Sequence, residues 1–198
     1  MKRDKLIEKN EIAEELIDIS EELDKVERAA TRSGINDFNE LVLKDKNNNP
    51  ITQGQIHRFW NWFIDTCLLK GRKRIGICAP MEHGKTNQIS IGRILHSIGL
   101  DPNMRIKLVS CIDNKAKEKT TAVKKIIQYS EEYQAIFPKI KPSKDDSWTG
   151  HRLVVNREAY GTVDATLESQ SVTAEGIGGR CDLLVFDDVV DEQNSMTE

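Results

Sequence analysis

The chain is poor in the residues that make a disulfide scaffold, a membrane protein or an aromatic-rich surface. Its 198 residues include four cysteines, five prolines and only 6% aromatics. Cys67, Cys78, Cys111 and Cys181 stand far apart, with no CxxC pair and without the short secreted context of a disulfide framework. Three of them sit in or beside apolar strand-like runs, so buried free thiols are expected rather than metal ligands. No apolar run approaches the roughly 20 residues that cross a bilayer. The basic N-terminus has no apolar stretch behind it and does not read as a secretory leader. A soluble chain that stays in the cytoplasm where it is made is therefore expected, and a mean hydropathy of −0.52 agrees. The length suits one ordinary domain with a modest appendage.

The net charge of −3 conceals a strong segregation. Residues 1–50 carry 9 basic and 13 acidic side chains, residues 51–150 carry 17 and 9, and residues 151–198 carry 3 and 10. A basic middle serves either a phosphate or nucleic-acid ligand, or simply solvated helix faces.

Apolar residues from Leu6 to Ala30 recur at helical spacing, predicting one long amphipathic helix or two in tandem over Lys5 to about Thr31. Ser33-Gly34 stops it, a short helix through Leu43 follows, and KDKNNNP marks a linker near 44–50. A helix from about Gln53 to Leu69 carries Ile56, Phe59, Trp60, Phe63 and Ile64 on one side. The pattern then changes to strands alternating with helices. RIGICA (74–79), RIKLVSC (105–111), HRLVVNR (151–157), ESQSVT (168–173) and DLLVFDD (182–188) read as strands. Helices are expected after MEHGKT through Ile98, from Asn114 to Ser130, and ending at Phe137. The expected fold is α/β, a mainly parallel sheet with helices on both faces, preceded by a helical N-terminal segment.

The stretch Ala79-Pro-Met-Glu-His-Gly-Lys-Thr86 lies between a predicted strand and a predicted helix. A phosphate needs converging backbone N–H groups, a side-chain cation and a hydroxyl for its Mg²⁺. Gly84, Lys85 and Thr86 at a helix N-terminus supply them, with Ala79 in place of the usual opening glycine. DLLVFDD supplies the second half, an apolar strand Leu183–Phe186 closing on Asp187 and Asp188, two adjacent carboxylates suited to a cation.

APMEHGKT, RIKLVSC with its basic helix, WTGHRLVVNR (148–157) and SVTAEGIGGRCDLLVFDDVVDEQN together resemble the ATPase region of the large terminase subunit of tailed bacteriophages, over about residues 52–194. The resemblance implies an ASCE-type P-loop NTPase fold and an ATP- and Mg²⁺-dependent motor that moves double-stranded DNA, without sequence preference, into a procapsid in the host cytoplasm. It implies as partners the portal protein, the small terminase subunit, further copies in a homo-oligomeric ring, and the remaining part of the large subunit.

Carried over, Lys85 contacts the β- and γ-phosphates, Thr86 and Asp187 hold Mg²⁺, and Ala79, Pro80, His83 and Gly84 complete the ATP loop. Asp188 stands where many members have a catalytic Glu, and either Asp191 or Glu192 is the alternative. Gln55 or Gln53 is placed to read adenine, unless either is a plain polar helix residue. Met81 and Glu82 stand where relatives carry a loop cation. Arg180 is then either a finger acting in trans or a structural partner of Asp182 or Asp188. Lys115, Lys117, Lys119, Lys124 and Lys125 either track DNA phosphates or form a solvated face. The N-terminal helix is expected on the ATPase core or on another packaging component. The domain reading is a helical appendage over 1–46 and a P-loop ATPase domain over 52–198, apparently truncated about ten residues past Asp188 and without the nuclease domain. Two alternatives stand beside it: a split or truncated nucleotide-binding or assembly module with little turnover alone, and another ASCE DNA translocase or helicase.

Overall fold

In the computed structural model the described residues are 2–144, 146–158, 161, 163–174 and 179–190, with backbone only for 2–13. The order is α1 (Lys2–Ala29), α2 (Ile35–Val42), α3 (Gln55–Leu69), a π-helical segment (Thr86–Arg93) running into α4 (Ile94–Leu100), β1 (Ile106–Ser110), α5 (Asp113–Tyr129), α6 (Glu131–Ile136), β2 (Arg152–Leu153), β3 (Leu167–Ser171) and β4 (Leu183–Phe186). This is a mixed α/β fold on a four-stranded sheet ordered β2-β3-β1-β4. β1 runs parallel to β3 and β4, and only the short β2 is antiparallel. No described helix is long and apolar enough to cross a membrane.

β1 is buried at every residue, as a central parallel strand must be. The register aligns Ile106 with Leu167 and Leu183, and Leu108 with Ser169 and Val185. That face meets the helical layer. α5 buries Ala116, Lys119, Thr120, Val123 and Ile127, a helical stripe that packs on β1 and β3. Behind it Ile94, Leu95 and Ile98 of α4 join Tyr133, Phe137, Ile35, Phe38 and Val42 in one continuous core. α2 and the end of α1 are thus built into the same core as the sheet. α6 begins at Ser130, whose Oγ accepts from Tyr133 N at 3.2 Å and caps the helix. The opposite sheet face carries Lys107, Val109, Glu168 and Gln170 with the outward side chains of β4.

Four expectations change. RIGICA is extended but joins no sheet, and residues 73–80 make no backbone–backbone hydrogen bond with the described residues. Its alternating side chains have the strand pattern, but a strand also needs a neighbour for its N–H and C=O groups. The apolar strand β4 is not buried throughout: it lies at the sheet edge among the described residues, and Leu184 and Phe186 remain 40% and 58% exposed. Of the thiols only Cys111 is buried; Cys78 follows its unpaired run into solvent, and Cys67 and Cys181 are half-buried. The apolar side of α3 splits, with Trp60 and Ile64 buried while Ile56, Phe59 and Phe63 face solvent.

His96 is the one imidazole in this core. Its Nε2 donates to Ala29 O at 3.1 Å, and its ring lies 5.0 Å from that of Phe38. Burial lowers its pKa to about 4, against the helping carbonyl of Ala29. Unfolded chains therefore bind a proton that the native state refuses between about pH 6.5 and pH 4. The contribution is complete above 6.5 and is lost as pH falls through that window, on the order of 3 kcal/mol. Urea unfolding at a series of pH values should show stability falling from pH 6.5 to 4, with the slope in that window reduced in His96→Phe. An unchanged slope would refute the assignment.

Candidate functional site

The loop between the extended run and the π-helical segment turns twice through left-handed backbone, at Glu82 (φ 62°) and Gly84 (φ 73°). Glycine accommodates that conformation without a Cβ clash. Lys85 is already helical, and Gln88 N donates to Gly84 O at 2.9 Å to close the first turn. The first amides of the segment then point out of its N-terminus with no intrahelical acceptor.

Two devices hold this loop, and neither was legible as a motif. His57, in the first turn of α3, accepts from Gly54 N at Nδ1 (3.2 Å), so its Nε2 carries the proton and donates to His83 O at 3.1 Å. His83 in turn donates from Nδ1 to Met81 O at 2.8 Å. The second device is a buried amide cluster. Gln88 Oε1 accepts from both Asn39 Nδ2 and Gln53 Nε2, each at 2.8 Å, joining α2 and the entry to α3 to the helix behind the loop. A Cβ at Gly92 would lie 2.3 Å from Asn39 Oδ1, so the close approach requires glycine there. Arg93, the next residue, ties to Asp65 at 2.7 Å and Asn61 Oδ1 at 3.0 Å.

Across from the loop, Asp187 ends β4 and is 7% exposed. Its N–H donates to Val109 O at 2.9 Å, and its carbonyl accepts from Ser110 Oγ (2.8 Å) and Lys119 Nζ (3.2 Å). One carboxylate oxygen, Oδ1, accepts from Thr86 Oγ1 at 3.4 Å, a long contact spanning 101 residues of sequence. The other, Oδ2, lies 2.7 Å from Lys119 Nζ but off hydrogen-bonding angle, leaving a buried oxygen with a charge partner and no hydrogen bond among the described residues. Lys119 is itself 8% exposed and donates to Ser110 Oγ at 2.7 Å.

Thr86 and Asp187 are thus brought together, with Gly84 and Lys85 half-buried beside them. Ala79 is half-buried, while Pro80, Met81, Glu82 and His83 are exposed. Asp188 is exposed, in left-handed backbone (φ 51°), its carbonyl taken by Cys111 N at 3.0 Å. Gln53 is buried in the amide cluster, and Gln55, at the start of α3, is exposed. Arg180 is exposed and makes no ion pair among the described residues. The suggested partner Asp182 instead takes Arg105, Nε to Oδ2 at 2.9 Å and Nη2 to Oδ1 at 2.7 Å, which lowers the Asp182 pKa to about 2. Asp191, Glu192 and residues 175–178 of the glycine turn lie outside the described residues.

Two of the lysines assigned to an outer face are committed elsewhere. Lys119 points into the site because it falls on the buried stripe of α5. Lys124 donates to Trp148 O and Thr149 O and stands 5.5 Å from the Trp148 ring centroid. Lys115, Lys117 and Lys125 are exposed.

No family model, curated protein or solved structure matches the chain. The Lys119–Asp187 pair has a direct test. Removing one member of a buried pair strands the other and costs about 3–5 kcal/mol. Lys119→Ala should lower stability by that order in denaturant unfolding, and Asp187→Asn in the same background should restore part of it. Additive losses in the double-mutant cycle would show that the pair is not coupled.

Proposed function

We propose that this chain is a P-loop NTPase of the ASCE type that binds ATP with Mg²⁺ and hydrolyses it, as the ATPase part of a phage DNA-packaging motor. The observation that carries the reading is the meeting of Thr86, at the head of the helix behind the loop, with the buried carboxylate of Asp187. A hydroxyl and a carboxylate are hard oxygen donors suited to a small divalent cation, with Oδ1 turned to Thr86 while Oδ2 faces the Lys119 ammonium. Thr86 and Asp187 would hold the metal. Bound there, Mg²⁺ supplies charge neutralisation on the phosphoryl oxygens.

The chain's own groups do the rest. Backbone amides from Gly84 onward receive phosphate oxygens, Lys85 places a cation on them, and His57 keeps the loop in register through His83 O. Asp188, beside Asp187 and open to solvent, is the described carboxylate best placed to orient an attacking water, with Glu192 as the other candidate. Gln55 is the amide free to meet a base, since Gln53 is committed to Gln88. Arg180, exposed and without an ion pair among the described residues, can offer its guanidinium to a neighbouring copy's phosphate. Lys115, Lys117 and Lys125 suit sequence-indifferent contact with double-stranded DNA. Portal protein, small terminase subunit and the rest of the large subunit complete the proposed assembly in the host cytoplasm.

One observation favours a second reading, a nucleotide-binding or assembly module with little turnover alone. The extended run feeding the loop has no sheet partner among the described residues, so the loop is braced from α3 and α2 but not from its own strand.

A steady-state ATPase assay separates the two. The motor reading expects turnover that Lys85→Ala reduces roughly 100-fold or more and that chelation of Mg²⁺ abolishes. ATP binding without turnover would favour the module, and absence of binding would overturn both. For Arg180, substitution by Ala should abolish hydrolysis in assembled rings while isolated chains keep their nucleotide affinity. An equal loss of binding would exclude a role in trans.

A further inference from the structure

Two apolar helix faces stand uncovered, and they are opposite in charge. α1 is a continuous helix of 28 residues, about 42 Å long, and among its described side chains only those at the C-terminal end are seated. Ala29 is fully buried, Lys25 pairs with Glu40 at 2.9 Å and Arg28 with Asp37 at 3.1 Å. Every residue from 14 to 24 is exposed. Within that stretch Leu16, Ile19 and Leu23 form an i, i+3, i+7 stripe, at 61%, 48% and 57% exposure. The remaining positions include Glu14, Glu15, Asp18, Glu21, Glu22 and Asp24 and no basic residue.

α3 is the counterpart. Its inner side holds Trp60 and Ile64, and its outer side exposes Ile56, Phe59 and Trp62 at 48%, 54% and 60%. The Phe59 ring lies 5.7 Å from Trp62 and stacks 6.3 Å from Phe63, so the aromatics form one patch. Beside it a cleft of about 460 Å³ opens between α3 and the extended run, lined by Trp62, Phe63, Cys67, Arg72, Arg74 and Ile75 among others. The segment closing α3, Leu-Lys-Gly-Arg-Lys-Arg (69–74), holds four basic residues and no acid.

We propose that α1 of one copy docks on the α3 face of the next, its Leu16–Leu23 stripe on the aromatics and its acids against Lys70, Arg72, Lys73 and Arg74. An apolar stripe on a helix with no neighbour is covered by association. Within one copy α1 is seated on α2 and α6, and its residues 14–24 stay exposed rather than packing on its own α3. Pairing of α1 with α1 would oppose six acids to six, whereas the α3 rim supplies cations. The contact joins two different surfaces, so each copy keeps one free end of each kind, and association propagates as a ring or a chain. The inference goes beyond nucleotide hydrolysis and does not depend on it.

Sedimentation velocity on the full chain over a concentration series tests this. The chain should associate, and Leu16→Gln/Leu23→Gln and Phe59→Gln/Trp62→Gln should each weaken association by roughly tenfold or more. These side chains are solvent-exposed, so unfolding midpoints serve as the control for folding. Glu21→Lys/Glu22→Lys should weaken association without altering any apolar side chain. An equimolar mixture of the two glutamine variants keeps one intact face of each kind and should give a 1:1 dimer that grows no further. A monomeric wild type, association that survives in the α3 variant, or a mixture that stays monomeric would each overturn the proposal.

Discussion

A carboxylate removed from water needs a cation, and the organisation of this molecule follows from where Asp187 finds one. Its side chain sits between Lys119 of α5 and Thr86 at the head of the π-helical segment. Its backbone is bonded to Val109, and its carbonyl to Ser110 and Lys119. One residue thereby joins the edge strand, the central strand, the helix covering the sheet and the loop proposed to hold phosphate. A second cation placed between Thr86 and Asp187 would share that carboxylate with Lys119, so the ammonium defines the charge that a metal meets on arrival.

The loop itself is held from an unexpected side. In a strand-loop-helix unit the strand ordinarily fixes the loop's entrance, but the run ending at Ala79 has no sheet partner among the described residues. Here the constraint comes from His57 on His83 O and from the buried amides of Asn39, Gln53 and Gln88. Those contacts reach back to α2 and the start of α3. α2 and the start of α3 therefore do positional work for the site, and α2, with the end of α1, shares the sheet's hydrophobic core.

Open surfaces follow the same logic. Among the described residues β4 pairs on one side only, and its outward residues Leu184 and Phe186 stay in water. α1 projects acidic residues and a narrow apolar stripe, while α3 offers aromatics with a basic rim. Each is a surface whose desolvation would release free energy, and the charges determine which can meet.

Side-chain period and motif spacing determined much by themselves. The six helices and four of the five predicted strands stand within a few residues of their expected places, because helical and alternating patterns are local. GKT and the strand-ending acid were each readable for the same reason, since each lies within one short segment, but that Thr86 meets Asp187 across 101 residues is tertiary. Tertiary structure alone decided that, among the described residues, Ile75 to Ala79 is unpaired and β4 is an edge, and that α3 exposes most of its apolar residues. Whether a strand or helix face is covered depends on a neighbour distant in sequence. It also decided that Lys119, one of five lysines on a helix that all read alike, is the buried partner of Asp187. A lysine's position on the inward stripe of α5 has meaning only once the sheet on which that stripe packs is in place.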